Sequence, residues 1–155
     1  AVWLEKAFRE RRVEKIYHAL CFGLFEKDGE RLTAYLKKDE EKARVHIFGG
    51  PVAGAEKIVT EYEVLKREKE YTKVKIVLHT GRTHQIRAHL AYIGCPVAGD
   101  TKYGFSEENR RFGLTRQCLV AKSLRLAAGG ALDYLKDKMF VSRFEAELRS
   151  NGEEK

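Results

Sequence analysis

One passage constrains the fold of this chain more than any other: HTGRTHQIRAHLAYIGCPVAGDTKYG, residues 79–104. It sets two arginines, three histidines and four glycines around what reads as one short helix. Helix propensity alone would not choose those residues. Gly81 follows a strand-like run, and Thr83 has a hydroxyl able to cap a helix N-terminus. Ile86, Leu90 and Ile93 recur at i, i+4 and i+7, which gives one buried helix face. Gly94 followed by Pro96 is a stop signal, because glycine tolerates a left-handed turn and proline cannot continue the helix. Arg82 therefore falls at the strand-to-helix turn, and Arg87 falls one turn into the helix, off the apolar stripe. A loop containing Gly99, Asp100, Tyr103 and Gly104 follows. Two guanidiniums held at the end of a strand and on the next helix make a candidate anion site.

Most of the remaining chain reads as strands. In residues 13–24, Tyr17, Ala19 and Cys21 point one way, while Ile16, His18, Leu20 and Phe22 point the other. Both faces are largely apolar, which predicts a central strand. Asp28-Gly29 is a turn signal. Residues 32–36 and 43–48 are short strand candidates, separated by the charge run 37–42, read as a solvated loop, and 49–54 is a further loop. In residues 57–65, Ile58, Thr60, Tyr62 and Val64 share a face, and in 71–79 Val74, Ile76 and Leu78 do the same. The short charged connection between these two runs predicts an antiparallel hairpin. Residues 117–126 and 139–148 read as two more strands. Residues 1–12 look like the last turns of a helix with Leu4 and Phe8 inward; 106–116 is polar with Ser106 as a candidate cap; 150–155 is a tail. No repeat, linker or alternation of strand with helix is present. The expectation is a single α+β domain over residues 1–155: a mixed, mostly antiparallel sheet with a few flanking helices. The chain opens at Ala1 inside a helix-like run, so it is expected to be a piece of a longer protein.

The 155 residues carry a formal net charge of +7 with 34% charged residues. That balance favours phosphate-rich partners, since each neutralised phosphate releases counterions. Cys21, Cys95 and Cys118 form no CxxC pair, so a disulfide framework or zinc site is not indicated and reduced thiols are expected. No apolar run approaches the roughly 20 residues of a membrane-spanning helix. The spacings of a phosphate-binding P-loop, of a dinucleotide-binding Gly-x-Gly-x-x-Gly and of a hydrolase Gly-x-Ser-x-Gly elbow are all missing. A metal-dependent hydrolase built on His79, His84 and His89 is the weakest reading. His84 and His89 lie five residues apart, about 140° from each other around a helix, so they do not share a face. Polar contacts near the helix start are the better reading for His84.

Several side chains carry two readings each. Arg87 is either a surface or salt-bridge arginine, or a fork that fixes a carboxylate or phosphate bidentately. Asp100 is the nearest acidic candidate, although an aspartate in such a loop ordinarily bonds its own backbone. Tyr17 is either a core tyrosine with its hydroxyl satisfied or a platform on which a base stacks. Lys15, on the same strand face, adds positive charge.

Taken together, HTGRTHQIRAHLAYIGCPVAGDTKYG resembles the C-terminal signature of RluA-type RNA pseudouridine synthases: Thr-Gly-Arg-x-His-Gln-hydrophobic-Arg-x-His, then Gly-x-Pro, then Gly-Asp-x-x-Tyr-Gly. Phe8-Arg9-Glu10-Arg11 through Lys15-Ile16-Tyr17 resembles the family's Phe-x-x-Arg…Lys-x-Tyr segment, and Thr60-Glu61-Tyr62 its Thr-x-Tyr. The resemblance implies the pseudouridine synthase fold and isomerisation of a flipped-out uridine in structured RNA, ribosomal or transfer, in the cytoplasm, with no metal or organic cofactor. It implies that Tyr17 packs on the target uracil, that Arg87 pairs with the catalytic aspartate, and that Arg82 and His84 shape the pocket wall, with Gly99 and Asp100 in a structural loop. One departure is serious. The family's nucleophilic aspartate sits in a His-Arg-Leu-Asp-x-x-Thr-Ser-Gly segment upstream of the Lys-x-Tyr strand, and these 155 residues contain no match to it. Asp28, Asp39, Asp100, Asp133 and Asp137 fall in the wrong places. Arg87 is then expected to lack its partner and to face solvent or an adventitious anion. The chain is read as the C-terminal portion of a synthase catalytic domain, inactive alone; the alternative is a non-catalytic RNA-binding protein that retained the fold.

Overall fold

A computed structural model describes residues 13–82, 84–126 and 131–133. The predicted helix over 1–12, the strand over 139–148 and the tail lie outside those residues, as does Thr83. Seven strands form one sheet: β1 (Val13–Cys21), β2 (Gly29–Asp39), β3 (Arg44–Phe48), β4 (Glu56–Arg67), β5 (Thr72–Leu78), β6 (Leu119–Leu126) and β7 (Ala131–Asp133). Their order is β3-β2-β4-β5-β1-β6-β7, and every pairing among the described strands is antiparallel. Two short helices, α1 (Gln85–Tyr92) and α2 (Ser106–Arg111), sit in the segment between β5 and β6. The α+β, mostly antiparallel expectation holds, as does the β4–β5 hairpin.

Strand alternation explains which face each side chain takes. β5 buries Thr72, Val74, Ile76 and Leu78 in strict alternation, the pattern of a strand with one face in a core. On β1, Ala19 and Cys21 join Val74, Ile76, Leu78 and Tyr62 under Ile86 and Leu90 of α1, with Tyr17 packed at the edge of this cluster. Leu20 and Phe22 face the opposite way, into a second cluster with Phe112, Leu114 and Cys118. β1 thus packs on both faces and hydrogen-bonds to β5 and β6 on its two sides, as its sequence predicts. Cys21, Cys95 and Cys118 are all buried free thiols.

Several boundaries differ from the sequence reading. β1 ends at Cys21 because Gly23 adopts φ 85° where its Cα faces the Gly94 carbonyl so closely that no Cβ would fit. β2 continues through Lys37 and Lys38 to Asp39, pairing with β3, so the solvated loop is confined to 40–43. The cap read at Thr83 lies outside the described residues, and α1 begins at Gln85. Its N-cap position is His84, in the left-handed conformation at φ 54° and without a side-chain cap. Ser106 is likewise the first residue of α2 rather than its cap, which is Phe105. The predicted stop at Gly94 holds: it lies at φ 86°, and the Gly94 and Cys95 amides donate back to the Ala91 and Leu90 carbonyls, closing the helix end.

Candidate functional site

The turn from β5 into α1 is held by a buried polar network centred on Gln85. The Gln85 side-chain oxygen accepts from the Thr80 hydroxyl at 2.8 Å and from the Arg82 amide at 3.1 Å. Its amide nitrogen donates to the Val59 carbonyl at 3.1 Å and to the Thr60 hydroxyl at 3.0 Å. Gln85 therefore does the work expected of a cap, satisfying an amide at the helix start while tying α1 to β4. His89, 1% exposed, completes the network with Nδ1 2.8 Å from the Thr60 hydroxyl. Burial pushes its pKa from 6.5 down to about 4, so the ring is neutral at neutral pH.

The loop after α1 is organised by Asp100. Its Oδ1 accepts from the Lys102 amide at 2.9 Å and the Tyr103 amide at 3.0 Å, the turn geometry expected of such a residue. Asn109 of α2 braces the same loop, donating to the Asp100 carbonyl and accepting from the Gly99 amide. Gly99 is obligatory here: it sits at φ 82°, and a Cβ would collide with the Arg116 carbonyl.

The same carboxylate also binds Arg87. The Nε and Nη2 groups of Arg87 donate to Oδ2 and Oδ1 of Asp100 at 2.8 and 3.0 Å, a bidentate pair. Side-chain exposure is 15% for Arg87 and 0% for Asp100. This corrects the expectation that Arg87 lacks a partner: Asp100 reaches it, and turn aspartate and arginine partner are one residue. The pair raises the Arg87 pKa. Burial alone would raise that of Asp100, but the Arg87 fork and the Tyr103 and Lys102 amides outweigh it and hold the carboxyl below its usual 3.8.

Tyr103 joins this pair to the rest of the site. Its hydroxyl is 2.9 Å from the Val45 amide and 2.9 Å from Nδ1 of His84. The Arg87 and Arg44 guanidiniums lie 5.3 and 5.1 Å from its ring centroid, within cation–π range. Burial and the positive charges of Arg87, Lys102 and Lys38 push the His84 pKa below 6.5, outweighing the opposite pull of Asp100.

These elements enclose an open cleft of about 230 Å³. Tyr17 of β1, Leu78 at the end of β5, Arg82 and His84 of the turn, Arg87 of α1, Gln117 just before β6 and Leu119 at its start all line it. Four of the five predicted site residues thus meet on one surface. The fifth, Lys15, stands beside it, with its ammonium against Gly81, where a Cβ would lie 2.9 Å away. Arg82 also pairs with Glu56 at 2.7 Å. Burial raises the Tyr17 pKa, so its phenol is protonated at neutral pH. Beside Tyr17, the β1–β6 register slips by one residue between Ile16 and Tyr17, an irregularity of the kind that re-aims side chains near sites. The three histidines do not converge: His79 bonds Glu61, His84 bonds Tyr103 and His89 bonds Thr60. Among the described residues no cluster of His, Cys, Asp or Glu could hold a metal, and no helix is long and apolar enough to cross a membrane.

Sequence reading missed the roles of Tyr103, Gln85, Asn109 and Gln117. Asp100 and Tyr103, three residues apart in a glycine-bounded loop, gave the only local signal.

The family model for RNA pseudouridylate synthase matches residues 1–92, more than half of the chain. The chain belongs to that family. An uncharacterised RNA pseudouridine synthase of Aquifex aeolicus is 44% identical over 109 residues, covering 68% of this chain and 33% of that protein. The ribosomal large subunit pseudouridine synthase C of Vibrio cholerae is 35% identical over 127 residues, covering 79% of this chain and 38% of that protein. The chain therefore spans about a third of the length of these relatives. Among solved structures, human RNA pseudouridylate synthase domain containing 1 superposes with a TM-score of 0.69 at 30% identity, covering 84% of this chain and 56% of that one. Human RNA pseudouridylate synthase domain containing 4 gives 0.73 at 20% identity, covering 98% and 67%, which speaks to the fold. As a pseudouridine synthase family member, the chain has its Thr-Gly-Arg-Thr-His-Gln-Ile-Arg segment at the cleft: Arg82, His84, Gln85 and Arg87 all line it.

Proposed function

We propose that the cleft between β1, α1 and β6 is the uridine-binding side of an RNA pseudouridine synthase, acting in the cytoplasm on ribosomal or transfer RNA. The observation that carries this reading is the convergence of Tyr17, Arg82, His84 and Arg87 on one cleft in a chain of this family. In this reading the Tyr17 ring packs on the extruded uracil, where stacking contributes about 1–3 kcal/mol, and its protonated phenol can take part in proton transfer. Arg87 commits Nε and Nη2 to Asp100; a guanidinium has five N–H donors, so three further ones are left for a second carboxylate. Arg82 and Lys15 supply positive charge for phosphates at the rim. The reaction needs neither metal nor organic cofactor.

The nucleophilic aspartate would come from a segment these 155 residues do not contain. We therefore read residues 1–155 as the C-terminal portion of a catalytic domain. Attack at the nucleoside, cleavage of the glycosidic bond and re-attachment through carbon all depend on that missing carboxylate. The chain alone should bind structured RNA without modifying it. Incubating it with ribosomal and transfer RNA, then measuring pseudouridine by mass spectrometry and affinity across a salt series, tests both halves. Affinity should fall steeply with salt, with a log–log slope of about −0.9 for each phosphate contacted in a duplex. Pseudouridine formed by the chain alone would show that a carboxylate within it serves as nucleophile. Affinity indifferent to salt would remove the RNA-binding reading.

A further inference from the structure

The hydrogen bonds around Tyr103 have a direction. The Val45 amide at 2.9 Å can only donate, so the Tyr103 hydroxyl accepts there. Its own proton is then available to the second partner, Nδ1 of His84, at 2.9 Å. With that proton directed at Nδ1, the ring nitrogen accepts, and a neutral His84 carries its proton on Nε2. While the hydroxyl proton points at Nδ1, a second ring proton would place donor against donor. The charged groups around it oppose protonation too: Arg87 on its own helix, Lys102 on the following loop and Lys38 on β2, against the opposite pull of Asp100. Tyr103 is itself immobilised. Its backbone amide is held by Asp100, and its ring lies beside the Arg87 and Arg44 guanidiniums.

We infer that Tyr103 is a positioning residue that locks His84 in the Nε2–H tautomer, so that His84 serves the cleft as a fixed, neutral donor to an oxygen of the bound nucleotide. The tautomer rests on the hydrogen-bond geometry alone. The nucleotide as acceptor rests on the function proposed above. A neutral donor differs from Arg82 and Arg87 in what it can select: it contributes direction without adding to non-specific attraction for phosphate.

The test is a long-range proton–nitrogen spectrum of the full chain labelled with 15N-histidine, with His84 assigned by the signal lost in His84→Asn. The expected spectrum at about pH 8 has Nε2 protonated and Nδ1 bare. Tyr103→Phe removes the donor that stabilises the neutral ring, so the tautomers should mix and the titration midpoint should rise. A wild-type spectrum with the proton on Nδ1, or with a charged ring at neutral pH, overturns the assignment whether or not Tyr103→Phe folds. So does a Tyr103→Phe spectrum with an unchanged tautomer. The second arm measures oligouridylate binding by His84→Gln and His84→Asn. A glutamine amide reaches about where Nε2 lies and an asparagine amide about where Nδ1 lies, so Gln should retain affinity while Asn loses about fivefold. The left-handed backbone at residue 84 favours Asn over Gln, so that order cannot come from backbone strain. Equal affinities, or no oligouridylate binding by the wild type, would overturn the nucleotide acceptor while leaving the tautomer result standing.

Discussion

Asp100→Asn isolates the ion pair on which the cleft wall rests. The substitution preserves size and leaves Oδ1 able to accept the Lys102 and Tyr103 amides. It sets an amide donor against a guanidinium that can only donate, and it removes the counter-charge of an arginine that is 15% exposed. Removing one partner of a buried pair costs about 3–5 kcal/mol, against roughly 0–1 kcal/mol for a solvent-exposed pair. Whole domains are stable by about 5–15 kcal/mol, so about a fifth or more of the total is at stake. With a urea dependence of about 1–3 kcal/mol per molar, the unfolding midpoint should drop by roughly 1–5 M. Circular dichroism across a urea series would compare wild type, Asp100→Asn, Arg87→Met and the double variant. The double variant should recover much of the loss, because it leaves no orphaned charge. A midpoint drop below about 0.3 M for Asp100→Asn, or strict additivity in the double variant, would refute the reasoning. Acid provides an independent check. The folded carboxyl titrates below its usual 3.8, so its contribution is complete above the unfolded pKa and is lost as pH falls through the folded one. Wild type should show that loss below about pH 4, and Asp100→Asn should lack it.

Gln85→Leu should cost several kcal/mol, since it strips partners from the Thr80 hydroxyl, the Arg82 amide and the Val59 and Thr60 acceptors, each worth about 1–3 kcal/mol when left unpaired; a melting temperature within about 2 °C of wild type would contradict the network. Gly99→Ala should destabilise more than Gly94→Ala. Both positions have positive φ, but only at Gly99 does a Cβ meet backbone, whereas Gly94 opens onto free space, so thermal unfolding should separate strain alone from strain plus collision. His89 titrates near 4 in the fold against 6.5 unfolded. The unfolded chain binds its proton first, so stability should decline by up to roughly 3 kcal/mol as pH falls from 6.5 towards 4, and a flat melting profile over that window would sink the assignment.

The strands were readable from the sequence because each buries a face: β5 alternates without a break, and β1 is apolar on both sides because clusters pack on both. What escaped was non-local. The end of β1 depends on the Gly94 carbonyl about 70 residues on, and the start of α1 is tied down by Gln85 reaching back to β4. That Tyr17 and Arg87 share a cleft follows only once β1 is inserted between β5 and β6, a topology that no local pattern encodes. Tyr103 had no visible role because its hydroxyl partners lie 58 and 19 residues away.

Asp100 shows why the two readings of one residue were never rivals. A carboxylate offers about four acceptor positions. The turn uses two through the Lys102 and Tyr103 amides, and the Arg87 fork adds two more. The amides fix the carboxylate in the loop, and the carboxylate fixes the arginine on the helix. Arg87 is therefore oriented before any ligand arrives, which lowers the ordering cost at binding. The same pairing weakens its pull, because a guanidinium already half-satisfied by one anion attracts a second less strongly. A carboxylate brought to the cleft by a nucleophile-bearing segment would meet a well-aimed but tempered cation, and would be held without being neutralised by it. An aspartate that must attack carbon needs that combination, since a tightly paired carboxylate is a poor nucleophile and an unplaced one seldom meets its target.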